Sequence, residues 1–553
     1  MDAAGHPAHG GALAVAAARR NGVTTMFTLS GAHVFPLYDG AVTADPPMPI
    51  IDVRHEQTAV FAAEATARLT RRPGLAVLTA GPGVTNGISA VTTAHFNGTP
   101  VVVLAGRASD GRWGAGSLQE LDHPPLLAPV TKRAWTVHDA DLVGAAVDEA
   151  FALAGARHRG PVFLDASLEA LFGAAAEPAD PAPRVAPGAA VRDRPDPADV
   201  TAVARLLAAA DRPVLVLGSD VWLDGAEHAA RAAAERLALP VIANGQGRGI
   251  LPAGHPQLVT RARSVAFSEA DLVIVGGAPL DFRLGYGRFG GKDGPPAPVV
   301  HLADAADQLA RHCELAGSAA GDLATIFTAL AAEGAAGDWA ADWLPRLQDV
   351  ATRQLAADTT LLHSQARPIH PLRIYGELAS LLQPDALVIG DGGDFVSYAG
   401  KHVEPQRPGG WLDPGPYGCL GTGLGYAIGA RVARPQSQVV LLLGDGAAGF
   451  SLLDADTLVR HGLPVVMICG NNGIWGLEKH PMHALYGYDV AADLQPGCRY
   501  DQVVTALGGG GELVTDPADI APALRRAFDS GQPYLVNIVT DPQDAYPRST
   551  IGL

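Results

Sequence analysis

Three doubly wound parallel-sheet domains of the α/β class are what this sequence predicts, on three observations. Short apolar runs alternate with alanine-rich amphipathic stretches, the pattern of strands joined by crossover helices. The chain has 553 residues, too many for one core, so two to four domains are expected. Glycine-rich turns follow several of the apolar runs, where open α/β sheets bind ligands.

The runs fall into three segments. Residues 1–175 carry TTMFTL, PIIDV, LAVLTA, VVVLAG and VFLDA as strands. Residues 195–335 carry PVLVLG, PVIAN, LVIVGG and VVHLA, and residues 370–545 carry ALVIGD, QVVLLLGD, PVVMIC and YLVNIV. Between the first two lies a stretch at 174–198 rich in Ala and Pro, a linker composition. A helix around Trp339–Ala356 leads toward the third.

Composition narrows the function classes. Apolar content is 48% and charged content 18%, the balance of an ordinary folded protein. Net charge is −17 with no basic run, which argues against a nucleic-acid or anionic-membrane partner. No apolar run is long enough to span a membrane. The arginines of the N-terminal MDAAGHPAHGGALAVAAARR follow its apolar part, so it reads as the lead-in to a helix and not as a signal peptide. Four scattered cysteines lack metal spacing. A cytoplasmic enzyme with reduced thiols is the expectation.

The most specific motif is Gly444-Asp445-Gly446, followed after 24 residues by Asn471-Asn472. The run 438–443 reads as a strand, GDGAAG as a turn, 450–461 as a helix and 464–469 as the next strand. Asp445 and Asn472 then stand at the carboxyl ends of neighbouring strands. A carboxylate and an amide oxygen are hard ligands suited to Mg²⁺ or Ca²⁺ carrying phosphate oxygens. The glycines let backbone N–H groups approach a diphosphate.

This pattern resembles the signature of thiamine diphosphate-dependent enzymes, and the resemblance extends over nearly the whole chain. It lies nearest the acetolactate synthase-like group, which includes 2-hydroxyacyl-CoA lyases and benzaldehyde lyase. The resemblance implies that Asp445, Asn472 and the main-chain oxygen of Ile474 hold Mg²⁺. It implies diphosphate or ring contacts from Gly444, Gly446, Ala447 and Trp475, and from Gly393, Asp394 and Phe395 after ALVIGD. Relatives carry Gln-His where this chain has Asp394-Phe395, so main-chain contacts are expected there. Pro82 and Asn86, in the turn GPGVTN, map beside the cofactor. The Gly418 carbonyl would accept from the aminopyrimidine, and Leu420 would wedge the cofactor into its bent form.

Thiamine diphosphate needs a carboxyl group beside its aminopyrimidine to relay a proton. Glu56, in the Arg-His-Glu motif that opens an alanine-rich helix, is the candidate, and apolar surroundings favour a carboxyl that keeps and shares its proton. The alternative is an ordinary helix-start carboxylate. His33, in Ser-Gly-Ala-His, matches a substrate-facing histidine of benzaldehyde lyase and would shuttle protons; a surface histidine is the alternative. Gln119, in GSLQELDH, matches an active-site glutamine that orients a substrate oxygen, or is a surface residue. Glu478 matches a catalytic glutamate of 2-oxo-acid decarboxylases, or is an exposed helix residue.

The resemblance leads first to a C–C lyase and carboligase working through a C2 carbanion of the cofactor, most like a 2-hydroxyacyl-CoA lyase yielding an aldehyde and formyl-CoA. Three stretches carry that expectation: RARSVAFSEADLVIVGG, LDFRLGYGR and GTGLGYAIGA. Arg261, Arg263 and Arg283 are the cations they offer to CoA phosphates, or else surface charge. Acetolactate synthesis from pyruvate is the alternative; the tryptophan that helps acetolactate synthases select 2-oxobutyrate would fall near Pro481 and is missing. FAD is not expected, because HLADAAD replaces the family's flavin-side pattern, although a flavin-dependent 2-oxo-acid oxidase remains a third reading. The family places the cofactor between subunits, so a homodimer or homotetramer is implied.

Overall fold

The computed structural model describes residues 8–175, 193–291, 295–544 and 546. The proline-rich stretch and the C-terminal DAYPRSTIGL fall largely outside the described residues.

Three parallel sheets form, one in each predicted segment. The first contains β1 (Met26–Thr28), β2 (Ile50–Asp52), β3 (Gly74–Leu78), β4 (Val101–Arg107), β5 (Ala134–Val137) and β6 (Val162–Ser167), in spatial order β2-β1-β3-β4-β6-β5. The second contains β7 (Pro213–Leu217), β8 (Val241–Ala243), β9 (Leu272–Gly276), β10 (Val299–Ala303) and β11 (Gly317–Ala320), ordered β11-β10-β9-β7-β8. The third contains β12 (Leu387–Asp391), β13 (Trp411–Leu412), β14 (Val439–Gly444), β15 (Val466–Asn471), β16 (Gly510–Val514) and β17 (Tyr534–Val539), ordered β13-β12-β14-β15-β17-β16. Strands β3, β4, β7, β9 and β12 are buried along their whole length, as helices on both faces of a parallel sheet require.

Four strands did not stand out in the sequence: β5, β11, β13 and β16. Each lies at the edge of its sheet. An edge strand need not be apolar on both faces, so its run is weak or short. The helix predicted at Trp339–Ala356 begins later and runs further, Trp343–Leu362.

The turn and helix expected after β14 are corrected. Helix starts at Asp445 itself and runs Asp445–Ser451. A 3-10 turn, Leu452–Asp454, and a second helix, Ala455–Arg460, follow. Ser451, at φ −137°, breaks the first helix. The Asp445 carboxylate accepts the Gly446 N–H at 2.9 Å, giving the first turn an acceptor where the chain has none.

The chain gathers into two compact units. One holds the described residues up to 175 together with 417–436 and 451–464, and the other holds those at 193–416, 437–450 and from 465 on. Within the first unit, helix Glu56–Thr70 packs along helix Thr422–Ala433. Gly425 and Gly429 make that approach possible, because a Cβ at either position would strike Phe61 or Ala62. A buried polar cluster pins the seam. Tyr426 donates to Glu64 Oε2 at 2.9 Å and Asn97 to Oε1 at 2.8 Å, with Arg68 at 3.9 Å. Burial raises the Glu64 carboxyl above its ordinary range, and Arg68 partly offsets this.

Candidate active site

In the first unit, four separate segments converge near Glu56. Glu56 follows β2, opens its helix and is 8% exposed. Asn86 Nδ2 donates to its Oε2 at 3.0 Å. Asn86 stands one turn into helix Pro82–Phe96, whose first residue is Pro82. The preceding Gly81 sits at φ 59°, ψ −114°, a conformation that favours glycine. Gly83 has no Cβ to strike Thr79 Cγ2, which would lie 2.7 Å away.

Thr79 links this turn to His33. Its Oγ1 lies 3.3 Å from His33 Nδ1. His33 is buried in a short 3-10 helix after β1. Burial lowers its pKa and favours the neutral imidazole, and a Leu118 backbone hydrogen bond opposes this. Gln119 is half-buried at φ 60° beside Gly81, where an added Cβ would lie 2.9 Å from the Gln119 Cβ. Thus Glu56, Pro82, Asn86, His33 and Gln119 share one neighbourhood. Gly418 and Leu420 belong to this unit as well: Gly418 is exposed at φ 69° with nothing packed on it, and Leu420 is half-buried just before helix Thr422–Ala433.

In the second unit the loops after β14 and β15 meet. Register pairs Gly444 with Gly470, so both motifs leave the sheet at the same level. Asp445 Oδ1 accepts from Gly446 N–H, and Oδ2 accepts from Gly473 N–H at 2.6 Å. Asn472 Oδ1 accepts from Ile474 N–H at 3.2 Å. Burial pushes the Asp445 carboxyl up to about 6, against the pull of those amides. A buried acid held only by neutral donors is a place where a cation fits. Gly444 and Gly449 have open space above their backbone, and Gly446 lies against the Trp475 ring. The donor set and the open backbone suit a metal-bridged diphosphate. Ala447 and Ile474 are buried beside these residues.

The loop after β12 adds Gly393, Asp394 and Phe395. Gly393 lies against Leu477. The Asp394 carboxylate accepts the Tyr546 N–H at 2.8 Å, and the Phe395 ring packs on Gly470 and Tyr375. Both side chains are therefore engaged inside the unit. Glu478 is exposed on helix Gly476–Tyr486.

The three arginines considered for CoA phosphates are also engaged. Arg261 pairs with Glu404 at 2.7 Å and Arg283 with Asp281 at 2.8 Å. Arg263 donates to the Arg283 carbonyl and lies over the Phe267 ring, and burial lowers it to about 10.

Thr79 and Asp454 went unremarked in the sequence, and Asn471 was named there without a role of its own. Thr79 sits two residues before the GPG turn and gives no motif signal of its own. Asn471 is buried and donates to the Cys498 carbonyl at 2.9 Å and to Asn537 Oδ1 at 3.0 Å. The first asparagine of the pair thus ties the loop down. Asp454, which accepts from Arg54 N–H and Thr58 Oγ1 at 2.7 and 2.6 Å, anchors the start of the Glu56 helix.

Parallel sheets with a buried acid at one loop cluster and a cation-suited pair at another define a cofactor-dependent α/β enzyme. The chain belongs to the thiamine pyrophosphate enzymes. Family models for their N-terminal thiamine pyrophosphate-binding, central and C-terminal thiamine pyrophosphate-binding domains match residues 8–126, 200–330 and 391–538. The chain is 48% identical to the acetolactate synthase large subunit IlvG of Mycobacterium tuberculosis, over 98% of this chain and 97% of that protein. It is 33% identical to 2-hydroxyacyl-CoA lyase 2 of Mus musculus, over 92% of this chain and 85% of that protein. Identity to 2-hydroxyacyl-CoA lyase 2 of Homo sapiens is 31%, over 96% and 90%. Among the described residues, no helix is long and apolar enough to cross a membrane.

Proposed function

We propose that this enzyme is a Mg²⁺- and thiamine diphosphate-dependent carboligase of the acetolactate synthase kind, taking a 2-oxo acid such as pyruvate. The observation that carries the reading is the 48% identity to an acetolactate synthase large subunit along nearly the full length of both chains, against 33% for a 2-hydroxyacyl-CoA lyase. This reverses the order expected from the sequence, where the lyase stood first. The engagement of Arg261, Arg263 and Arg283 within the protein supports the reversal, since it leaves those cations committed before any CoA phosphate arrives.

Thiamine diphosphate, when bound, supplies a nucleophilic carbon and an electron sink for breaking a bond beside a carbonyl. Glu56 would hold and pass the proton at the aminopyrimidine, oriented by Asn86. His33, neutral and steadied by Thr79, would move a proton at the substrate oxygen, and Gln119 would orient that oxygen. Asp445, Asn472 and the Ile474 carbonyl would hold Mg²⁺. Gly393, Gly444, Gly446 and Ala447 would meet the diphosphate through the main chain, with Asp394 and Phe395 contributing backbone only. Pro82, Gly418, Leu420 and Trp475 would pack on the rings. Flavin has no part in the proposal. A homodimer is the proposed minimum assembly.

The test is product analysis with thiamine diphosphate and Mg²⁺, using Glu56→Gln as the blank. Acetolactate from pyruvate supports the proposal. Aldehyde and formyl-CoA from a 2-hydroxyacyl-CoA, with no acetolactate, sinks it. Mixing inactive Glu56→Gln and Asp445→Ala chains tests the assembly: recovered activity supports sites shared between subunits, and none argues for self-contained ones.

A further inference from the structure

Outside the residues assigned above, the first unit buries a histidine, an aspartate and an arginine in contact. His123 and Asp165 are 0% exposed and Arg107 is 7% exposed. His123 Nδ1 lies 2.8 Å from Asp165 Oδ2. Arg107 lies 3.5 Å from the same oxygen and 3.0 Å from Asp122 Oδ1, and the Trp113 ring covers its guanidinium. On its other side His123 Nε2 takes the backbone N–H of Gly81 at 2.9 Å.

That last bond fixes the ring's state. An amide can only donate, so Nε2 must present a lone pair. The ring proton then sits on Nδ1, facing Asp165, and the imidazole is neutral. Asp165 selects the tautomer, and Arg107 balances its charge.

The clamped backbone is unusual. Gly81 sits at φ 59°, ψ −114°, and Gln119, which faces it, is a non-glycine residue at φ 60°. Such conformations persist only where their surroundings hold them. The Gly81 turn leads into Pro82 and Asn86, and Asn86 holds Glu56. The facing loop carries Gln119 and, four residues on, His123 itself.

We propose that His123 is a positioning residue: a neutral acceptor, oriented by Asp165, that clamps the Gly81 turn against the Gln119 loop and so fixes the spacing between the Glu56–Asn86 pair and Gln119. The functional half of this rests on the roles proposed above for Glu56 and Gln119. The clamp itself does not.

Two substitutions separate the ends of the ring. In His123→Gln, the amide oxygen reaches the place of Nε2 and can still accept from Gly81. In His123→Asn, the shorter amide can serve Asp165 but leaves Gly81 N–H without its acceptor. Hydrogen exchange of the peptide spanning residues 80–83 in the holoenzyme reads the clamp directly. Exchange there should speed up roughly tenfold or more in His123→Asn and return to within about threefold of wild type in His123→Gln. With pyruvate, kcat should fall roughly ten- to a hundredfold in His123→Asn, as a misplaced reacting geometry does, and recover in His123→Gln. Half-saturation by thiamine diphosphate should shift less than about threefold in both.

Unchanged exchange in His123→Asn, or a glutamine variant no better than the asparagine one, overturns the proposal. If His123→Asn does not fold, the wild-type protein decides: Gly81 N–H exchanging as fast as the amide of exposed Gly116 overturns the clamp, and slow exchange like that of β3 supports it. If wild-type enzyme makes no acetolactate, the proposed reaction falls while the exchange arm still tests His123.

Discussion

Asp445 and Glu56 are both buried acids beside glycine-rich turns, yet they are held in different ways. Asp445 is gripped by backbone amides from its own motif and from the loop that follows the neighbouring strand. Glu56 is held by a side chain, Asn86, and the Thr79–His33 pair and the Gly81 turn beside it are packed by segments near residues 31, 106 and 119. The Asp445 cluster is written into two short loops of fixed register. The Glu56 cluster depends on side chains agreeing across the first unit. Backbone-built sites tolerate change in neighbouring side chains, whereas side-chain-built ones pass on every displacement.

The largest effect that would break this comparison comes from Glu56→Gln. If Glu56 is the proton relay, kcat for acetolactate formation should drop roughly 10²- to 10⁴-fold. The Mg²⁺ dependence should hardly move, because Asp445 and Asn472 are untouched. A calorimetric titration of Mg²⁺ with thiamine diphosphate checks the second half. A large loss of metal affinity in Glu56→Gln would mean that the two clusters are not independently built.

Asp445 gives the next effect, through pH. Its folded value of about 6 lies above the ordinary 3.8. Between those values the folded, metal-free chain keeps a proton that the unfolded chain has released. The stability this contributes is present at low pH and lost as pH rises toward 6. Relative to Asp445→Asn, metal-free wild type should therefore lose on the order of 2–3 kcal/mol between pH 4 and pH 7. Calorimetric unfolding of both proteins checks it; parallel pH curves would remove burial as the cause. Mg²⁺ with thiamine diphosphate should stabilise wild type more at pH 7 than at pH 5 if, as proposed, the ionised carboxylate is the ligand.

The same contrast explains what the sequence made legible. Asp445, Asn472 and the glycines lie in contiguous motifs whose spacing reflects one strand–helix–strand unit, so they could be read directly. The central strands were equally plain, each built on a short apolar run. The edge strands β5, β11, β13 and β16 were not, because burial constrains an edge less. Thr79, His123 and Asp165 were silent for another reason. Each acts through a partner distant in the sequence, and nothing at residue 123 announces a carboxylate at residue 165. Asn471 was hidden by its neighbour, since a ligand pair does not reveal which member is structural.

Smaller effects sharpen the side-chain-built cluster. Gly31 is extended, so its backbone is unstrained, yet a Cβ there would strike Thr79. Gly31→Ala should cost about 1–3 kcal/mol by overpacking and should push Thr79 away from His33. Denaturant unfolding measures the first consequence, and the pH dependence of kcat the second.

Thr79→Val is the finest cut, since it keeps the shape and removes only the hydroxyl. Thr79 Oγ1 and His33 Nδ1 are 3.3 Å apart, a long hydrogen bond, so its loss should cost only about 0.5–1.5 kcal/mol of stability. Its kinetic effect should exceed its structural one if His33 moves a proton, because the hydroxyl steadies the ring. Burial holds the His33 imidazole below its ordinary value, and that burial survives the substitution. The acid limb of the pH profile should therefore stay near its wild-type position while kcat falls across the whole plateau. A limb that moves with unchanged plateau activity would mean that Thr79 sets the charge of His33 and not its orientation.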